Sequence, residues 1–264
     1  MELIVLAGVF FCVSTAFSMI GMGGGILYVP ILLFAGFTFR QAPAISLILI
    51  LATSSAALFN FWRNRKVDWK LALLIDPPTD IMAFFGGYFC TLVPESILHG
   101  CLAVILVIAG VLMQKNIKKV HPSLSGERKW YYWQRHFHDD NYHVNIPLVL
   151  SATGAIGIIS GMLGITGGII KLPIMVLLCG VPMDVAVATS TVMVAVTALS
   201  GLFGHALNEN IEWLTGIILA VSAVLGGLTG SRLSLKTDKT LLKRIFGIVL
   251  LLIAIKFLID AIRI

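Results

Sequence analysis

Charge is scarce in this chain. Of its 264 residues only 12% are Asp, Glu, Lys or Arg, against 58% hydrophobic. That is too little polar surface to enclose a water-soluble globule, so a soluble domain is excluded. Cysteine is also sparse. Cys12, Cys90, Cys101 and Cys179 sit in or beside apolar stretches without pairing or metal-ligand spacing, and read as small core residues. No Lys or Arg occurs in the first twenty residues, so these read as a retained first helix rather than a signal peptide. No nucleophile and base pair stands out for hydrolysis, and no cofactor is expected. The net charge of +6 would suit nucleic acid, but 15 of the 19 Lys and Arg residues lie in three segments beside long apolar runs. That pattern is an orientation signal, and nucleic acid is set aside.

Long apolar runs are what the chain does have, and their length identifies an all-α, polytopic integral membrane protein. Spans are expected at 3–20, 42–62, 71–89, 97–113, 146–162, 185–207, 213–230 and 241–262. Two runs are interrupted. Gly21-Met22-Gly23-Gly24-Gly25-Ile26-Leu27-Tyr28-Val29-Pro30 has a close copy 143 positions later, Gly164-Ile165-Thr166-Gly167-Gly168-Ile169-Ile170-Lys171-Leu172-Pro173. Each break is followed by a short apolar helix of about half the bilayer thickness.

The copy extends past the glycines. At an offset of 144, Ala44-Ile45-Ser46 matches Ala188-Thr189-Ser190, Thr53 matches Thr197, and Val67-Asp68-Trp69 matches Ile211-Glu212-Trp213. The chain therefore reads as a first transmembrane repeat (1–114), a basic and aromatic linker (115–145) and a second repeat (146–264). The segments 63–70, 115–145 and 232–244 are basic and expected inside, in the cytoplasm. Those at 90–96 and 205–212 have no Lys or Arg and are expected outside, as are both termini. Matching loops then fall on opposite faces. This predicts two inverted-topology repeats, each with a glycine-broken helix or a re-entrant hairpin, in the cell inner membrane. The two breaks would meet near the midplane, where a carrier holds its substrate.

The candidate substrate-binding groups are the backbone amides of Gly23, Gly24, Gly25, Gly167 and Gly168, the Thr166 hydroxyl and Lys171. Short helices opening at glycine present N–H groups and partial positive charge to an anion. Close helix packing is the competing role for such glycines. Lys171, where the first copy has Tyr28, either faces an anion or snorkels to an interface. Asp76 and Asp80, four residues apart in Asp76-Pro77-Pro78-Thr79-Asp80, are candidates for proton or Na⁺ coupling or for pairing with Lys171; the second repeat has Ala220 and Val224 there. His205 suits proton coupling by its titration range, against an interfacial residue at a helix end. Hydroxyls at Ser46, Thr53, Ser54, Ser55, Thr189, Ser190, Thr191 and Thr197 line a polar path or bond back to the preceding turn. In the linker, His136, His138, Asp139, Asp140 and His143 fit no zinc spacing. The run Trp130-Tyr131-Tyr132-Trp133 beside Arg128, Lys129 and Arg135 reads as an amphipathic helix on the inner membrane surface.

The motifs GxGGGxxxVP at 21–30 and GxxGGxxKxP at 164–173, with Gly204-His205 and Asn210-Ile211, resemble the TauE/SafE sulfite exporter family, also called the toluene sulfonate uptake permease family. The resemblance covers both repeats and implies secondary transport of small sulfur-containing anions such as sulfite, sulfoacetate or related sulfonates. Thr166 stands where the first copy has Gly23, so the two tips are not equal. The alternatives are a carrier of non-sulfur carboxylates, an anion channel, and an intramembrane enzyme that grips Mg²⁺-diphosphate with Asp76 and Asp80. The expected partners are a small anion and the lipid bilayer, and a chain this small is a candidate homodimer.

Overall fold

The computed structural model describes residues 3–21, 25–114, 132–137, 140–207, 211–234 and 239–263. Eleven helices and one hairpin follow in order: α1 (Leu3–Ile20), α2 (Gly25–Phe34), α3 (Ala42–Arg63), α4 (Trp69–Ile75), α5 (Pro77–Phe89), α6 (Glu95–Gln114), β1 (Tyr132–Phe137), β2 (Asp140–Asn145), α7 (Ile146–Leu163), α8 (Gly168–Pro173), α9 (Met183–Ala206), α10 (Trp213–Ser234) and α11 (Lys239–Arg263). A wider π turn, Ile174–Leu178, continues α8. Among the described residues six helices are long and apolar enough to cross a membrane: α1, α3, α6, α7, α9 and α10. Large aliphatic side chains such as Ile4, Leu73 and Leu214 stand 73–81% exposed on the outer faces, which suits a protein whose surroundings are hydrocarbon.

Local chemistry sets the helix ends. Asn145 caps α7 by accepting the Leu148 N–H at 3.3 Å, and Pro147 fits the first turn, where no N–H is needed. Gly164 closes the same helix in the left-handed region at φ 64°. The expected single span 71–89 is instead two helices, because Pro77 and Pro78 cannot donate to the preceding turn and begin a new helix after Asp76. Two threonines repair the interruption. Thr153 on α7 donates to the Ile75 carbonyl at 3.2 Å, and Thr79 donates to the Thr153 carbonyl at 3.1 Å.

Packing does not follow the order of the chain. α3 and α9, the most buried of the long helices, lie against each other. α10, from the second repeat, packs on α1 and α3 of the first; α5, from the first, packs on α7 and α9 of the second; α6 and α11 pack together. The halves have exchanged equivalent helices. Small residues permit the exchange: Gly161 lies on the Ala83 backbone between α7 and α5, and Gly230 on the Thr15 backbone between α10 and α1.

The linker gives a correction. Tyr132–Phe137 is not part of an amphipathic helix but pairs antiparallel with Asp140–Asn145, Trp133 facing Val144 and Arg135 facing Tyr142. Its side chains alternate exposed and half-buried, the period of a strand with one covered face. Arg128, Lys129, Trp130, Tyr131, His138 and Asp139 lie outside the described residues. Cys90 and Cys179 are buried as expected, whereas Cys12 faces outward from α1.

Candidate functional site

The two glycine breaks meet. A Cβ placed on Gly25, the first residue of α2, would stand 3.3 Å from the Thr166 amide nitrogen, just ahead of α8. Each break is braced by the opposite half in the same way. Ser190 on α9 donates to the Gly21 carbonyl, and Ser46 on α3 donates to the Gly164 carbonyl, both at 2.7 Å. Both glycines have positive φ, 75° and 64°, which side chains resist. Both also lie against the N-terminal part of the partner helix: a Cβ on Gly21 would be 2.5 Å from the Val187 carbonyl oxygen, and one on Gly164 2.5 Å from that of Pro43. Positions 21 and 164, 46 and 190, and 43 and 187 correspond in the repeat, so each contact has its counterpart with the halves exchanged.

Beside the second break lies a cavity of about 510 Å³ between α6, α7 and α8, walled by Ile26, Ile105, Ile156 and Ile165 and floored by Thr166 and Gly167. Thr166 is 6% exposed, and its hydroxyl has no hydrogen-bond partner. A buried hydroxyl left so costs free energy that a ligand acceptor would return. Across Gly167, the Lys171 stem passes 3.5 Å from where a Gly167 Cβ would be. Gly167 and Gly168 open α8, whose hydrogen bonding begins with Ile170 and Lys171 donating to the Gly167 carbonyl at 3.0 and 2.8 Å. Gly23 and Gly24 lie outside the described residues.

Lys171 does not snorkel; its side chain is fully buried and its ammonium is paired with Asp76 at the α4–α5 break. It also donates to the Thr197 hydroxyl at 3.0 Å. Thr197 in turn donates to Asp80 at 2.8 Å, and Ser200 to the Asp80 backbone carbonyl at 2.6 Å. Asp76 and Asp80 thus remain on one side despite the prolines, joined through Lys171 and Thr197. Asp76 is 5% exposed and Asp80 is half-buried. A fully desolvated ion pair of this kind persists only with additional hydrogen bonds, which Thr197 supplies.

His205 stands apart from this group. Its Nε2 lies 2.9 Å from the Gly161 carbonyl, and it is 6% exposed beside Gly87, so it ties α9 to α7 rather than lying at an interface. The hydroxyl residues divide. Thr191 bonds back to Val187 at 2.9 Å, whereas Ser46, Ser190 and Thr197 reach other helices, and Ser54 is buried without a partner.

One polar cluster escaped the sequence reading. Asp68 caps α4 by accepting the Lys70 and Leu71 N–H groups at 3.1 and 3.2 Å. Arg135 of β1 donates to both its oxygens, at 2.9 and 3.1 Å, and the Tyr142 hydroxyl of β2 donates to it as well. Burial would raise the Asp68 carboxyl, but the hydrogen bonds from Arg135, Tyr142 and Leu71, with the Arg135 charge, outweigh it and hold the group below the usual carboxylate range. The hairpin is thereby latched to the end of the bundle that holds α8 and α9; His143 N–H donates to the Cys179 carbonyl at 3.2 Å and Asp68 N–H to Thr189 at 3.1 Å. The available signal was a carboxylate just before an apolar helix start, Asp68-Trp69-Lys70-Leu71.

Among the described residues, six apolar spans surround two paired helix breaks, the build of a multi-pass helical membrane protein. The family model of the sulfite exporter TauE/SafE matches residues 6–257, and the chain belongs to that family of membrane transporters. It is similar to "Probable membrane transporter protein YunE" of Bacillus subtilis, 26% identical over 280 residues that cover 99% of each chain. It is also similar to "Probable membrane transporter protein YfcA" of Escherichia coli K12, 26% identical over 90% of this chain and 83% of the relative. "Probable membrane transporter protein MJ0441" of Methanocaldococcus jannaschii is 25% identical over 80% of this chain and 74% of its own. No solved structure matches.

Proposed function

We propose that this protein is a secondary transporter of small sulfur-containing anions, sulfite, sulfoacetate or a related sulfonate, working by alternating access. The observation that carries the reading is the meeting of the two breaks, with Gly25 against the Thr166 amide. The anion sits there, near the midplane, held by the backbone N–H groups of Gly25, Gly167 and Gly168; Gly23 and Gly24 are assigned to the same tip from the sequence motif alone. The Thr166 hydroxyl, buried without a partner, and Lys171 complete the site. The reciprocal serine braces support two inverted repeats, and the basic segments support a cytoplasmic linker with both termini outside. The exchanged bundles, α1, α2, α3 and α10 against α7, α8, α9 and α5, would be the bodies that rock. Sulfur itself rests on the family description; a carboxylate carrier fits the same geometry. The Mg²⁺-diphosphate enzyme is disfavoured because Asp76 and Asp80 are engaged with Lys171 and Thr197.

The test is thermal stabilisation of the purified protein by sulfite, sulfate, sulfoacetate, taurine, lactate and chloride, since a ligand of the folded state raises its stability. A selective shift with sulfite or sulfoacetate, lost in Gly25→Val or Gly168→Val, is the expected result. A shift with lactate alone would move the substrate class to carboxylates. No anion shift beside one with Mg²⁺-diphosphate would end the transporter reading.

A further inference from the structure

The chain of groups behind the second break carries an unequal charge. One ammonium, Lys171, faces two carboxylates: Asp76, which it pairs directly, and Asp80, which it reaches only through the Thr197 hydroxyl. Both carboxylates ionised leave one negative charge in excess within the hydrocarbon region, which is costly unless a cation joins. The Thr197 oxygen is 2.8 Å from Asp80 and 3.5 Å from Asp76, so rotation of one hydroxyl connects the two acids. Asp80 is the part-exposed end of this path and Asp76 the buried end.

The same ammonium is next to the break. Gly167 has no side chain between the Lys171 stem and the cavity, and the Thr166 hydroxyl there has no partner. We propose that Lys171, Asp76, Thr197 and Asp80 form a proton-coupling relay in which one anion and one proton bind together, Lys171 turning from Asp76 toward the anion. This rests on the anion site proposed above and names its coupling ion.

Charge decides the direction of coupling. An anion arriving at Thr166 and Gly167 competes with Asp76 for the single ammonium. When Lys171 turns, the two carboxylates lose their counter-charge, and one proton taken up at Asp80 and hydrogen-bonded toward Asp76 across Thr197 replaces it, the state that Asn at position 80 mimics. One negative charge and one proton are added, so the buried charge is unchanged; binding of each favours the other, and the pair travels as a symport. The remaining titratable groups on α5 and the elements packed against it lie elsewhere: Tyr88 and Cys90 are about 12 and 15 Å along the chain from Asp80. α7 carries none, and α4 adds Lys70 with Asp68 at its cap. On α9, Asp184 is about 20 Å along the helix from Thr197, and His205 about 12 Å along it and on the Gly161 carbonyl.

The test uses the full chain in detergent, with sulfoacetate and lactate as probes, because both stay ionised between about pH 5.5 and pH 8.5. Linkage of one proton to one anion makes the dissociation constant fall about tenfold per unit decrease in pH. In weakly buffered solution the wild-type protein should take up one proton per bound anion. Asp80→Asn should bind at the acidic-limit affinity at every pH and take up none. Binding that is flat with pH and without proton uptake in the wild type overturns the relay while leaving the anion site standing. An affinity that follows Na⁺ in place of pH also overturns it. If no member of the wider anion panel binds the folded wild type at any pH, the transporter reading falls and the relay with it. Proton uptake needs no variant, so a poorly folding Asp80→Asn leaves the test intact.

Discussion

The two halves place the same parts in the same positions and then differ in charge. In the first, Tyr28 on α2 meets Thr53 of α3 at 2.9 Å, neutral to neutral. In the second, the equivalent Lys171 on α8 meets the equivalent Thr197 of α9 at 3.0 Å, but there Asp76 and Asp80 close in from α5. The exchange of helices explains how. Asp76 and Asp80 belong to the first repeat in sequence but pack into the second bundle in space, while their counterparts Ala220 and Val224 on α10 go the other way. The two breaks thus share their hydrogen-bonded geometry while the buried charge lies beside one of them only.

The largest effect should come from removing the charged side of the comparison. Lys171→Met leaves the buried Asp76, with half-buried Asp80 beside it, without a cation and should cost about 3–5 kcal/mol of stability. Tyr28→Phe, at the matching position, removes one neutral hydrogen bond and should cost about 1 kcal/mol or less. Unfolding of the detergent-solubilised variants measures both. The triple variant Lys171→Tyr/Asp76→Ala/Asp80→Val copies the first half into the second and should recover most of the loss. Equal losses for the two single variants would mean that the ion pair is not the source of the difference.

A second contrast lies at the matching loops. Asp68 is buried under the hairpin, whereas its repeat partner Glu212 is exposed and accepts from Gln41 at 3.1 Å. Asp68→Asn weakens charge-assisted hydrogen bonds and should cost about 1.5–3 kcal/mol, releasing the hairpin; Glu212→Gln should cost under about 0.5 kcal/mol. The pH dependence follows from the depressed Asp68 carboxyl. A group lower in the folded state than in the unfolded chain contributes stability above the unfolded value, about pH 4, and loses it as pH falls through the folded value. Protection of the amides at 132–137 and 140–145, taken relative to the intrinsic exchange rate at each pH, should therefore hold from neutral pH to about pH 4 and fall only below. Protection that already falls near neutral pH would show that Asp68 is not the latch.

How far the sequence alone leads can be traced in these residues. Six of the expected spans and the two breaks were legible because they are local, apolar length and glycine punctuation; the 71–89 run was not, because its apolar length hid the helix restart at Pro77 and Pro78. The Asp76–Lys171 pairing was foreseen as one option because an intramembrane charge demands a partner. The exchange of α5 and α10 was not legible, since it depends on which backbones can approach at Gly161 and Gly230, and periodicity does not choose a neighbour. The hairpin was missed because its aromatic and basic composition was weighed above the alternation of Tyr132, Trp133, Gln134 and Arg135. Asp68 was missed with it, as its partners Arg135 and Tyr142 are far away in sequence.

The smallest effect tests the symmetric side of the comparison. Ser46→Ala and Ser190→Ala each remove one brace, from Gly164 and Gly21, and each should cost about 0.5–1 kcal/mol. Ser190 also bonds back to Val187 at 2.9 Å, but that bond lies within its own helix and does not hold the opposite break. The sharper measurement is the double variant. If the two breaks are independent, the losses add; if the breaks form one site, as the contact of Gly25 with the Thr166 amide suggests, loosening the first already frees part of the second. The second serine then adds less than its single loss, and the shortfall measures how strongly the two breaks are coupled.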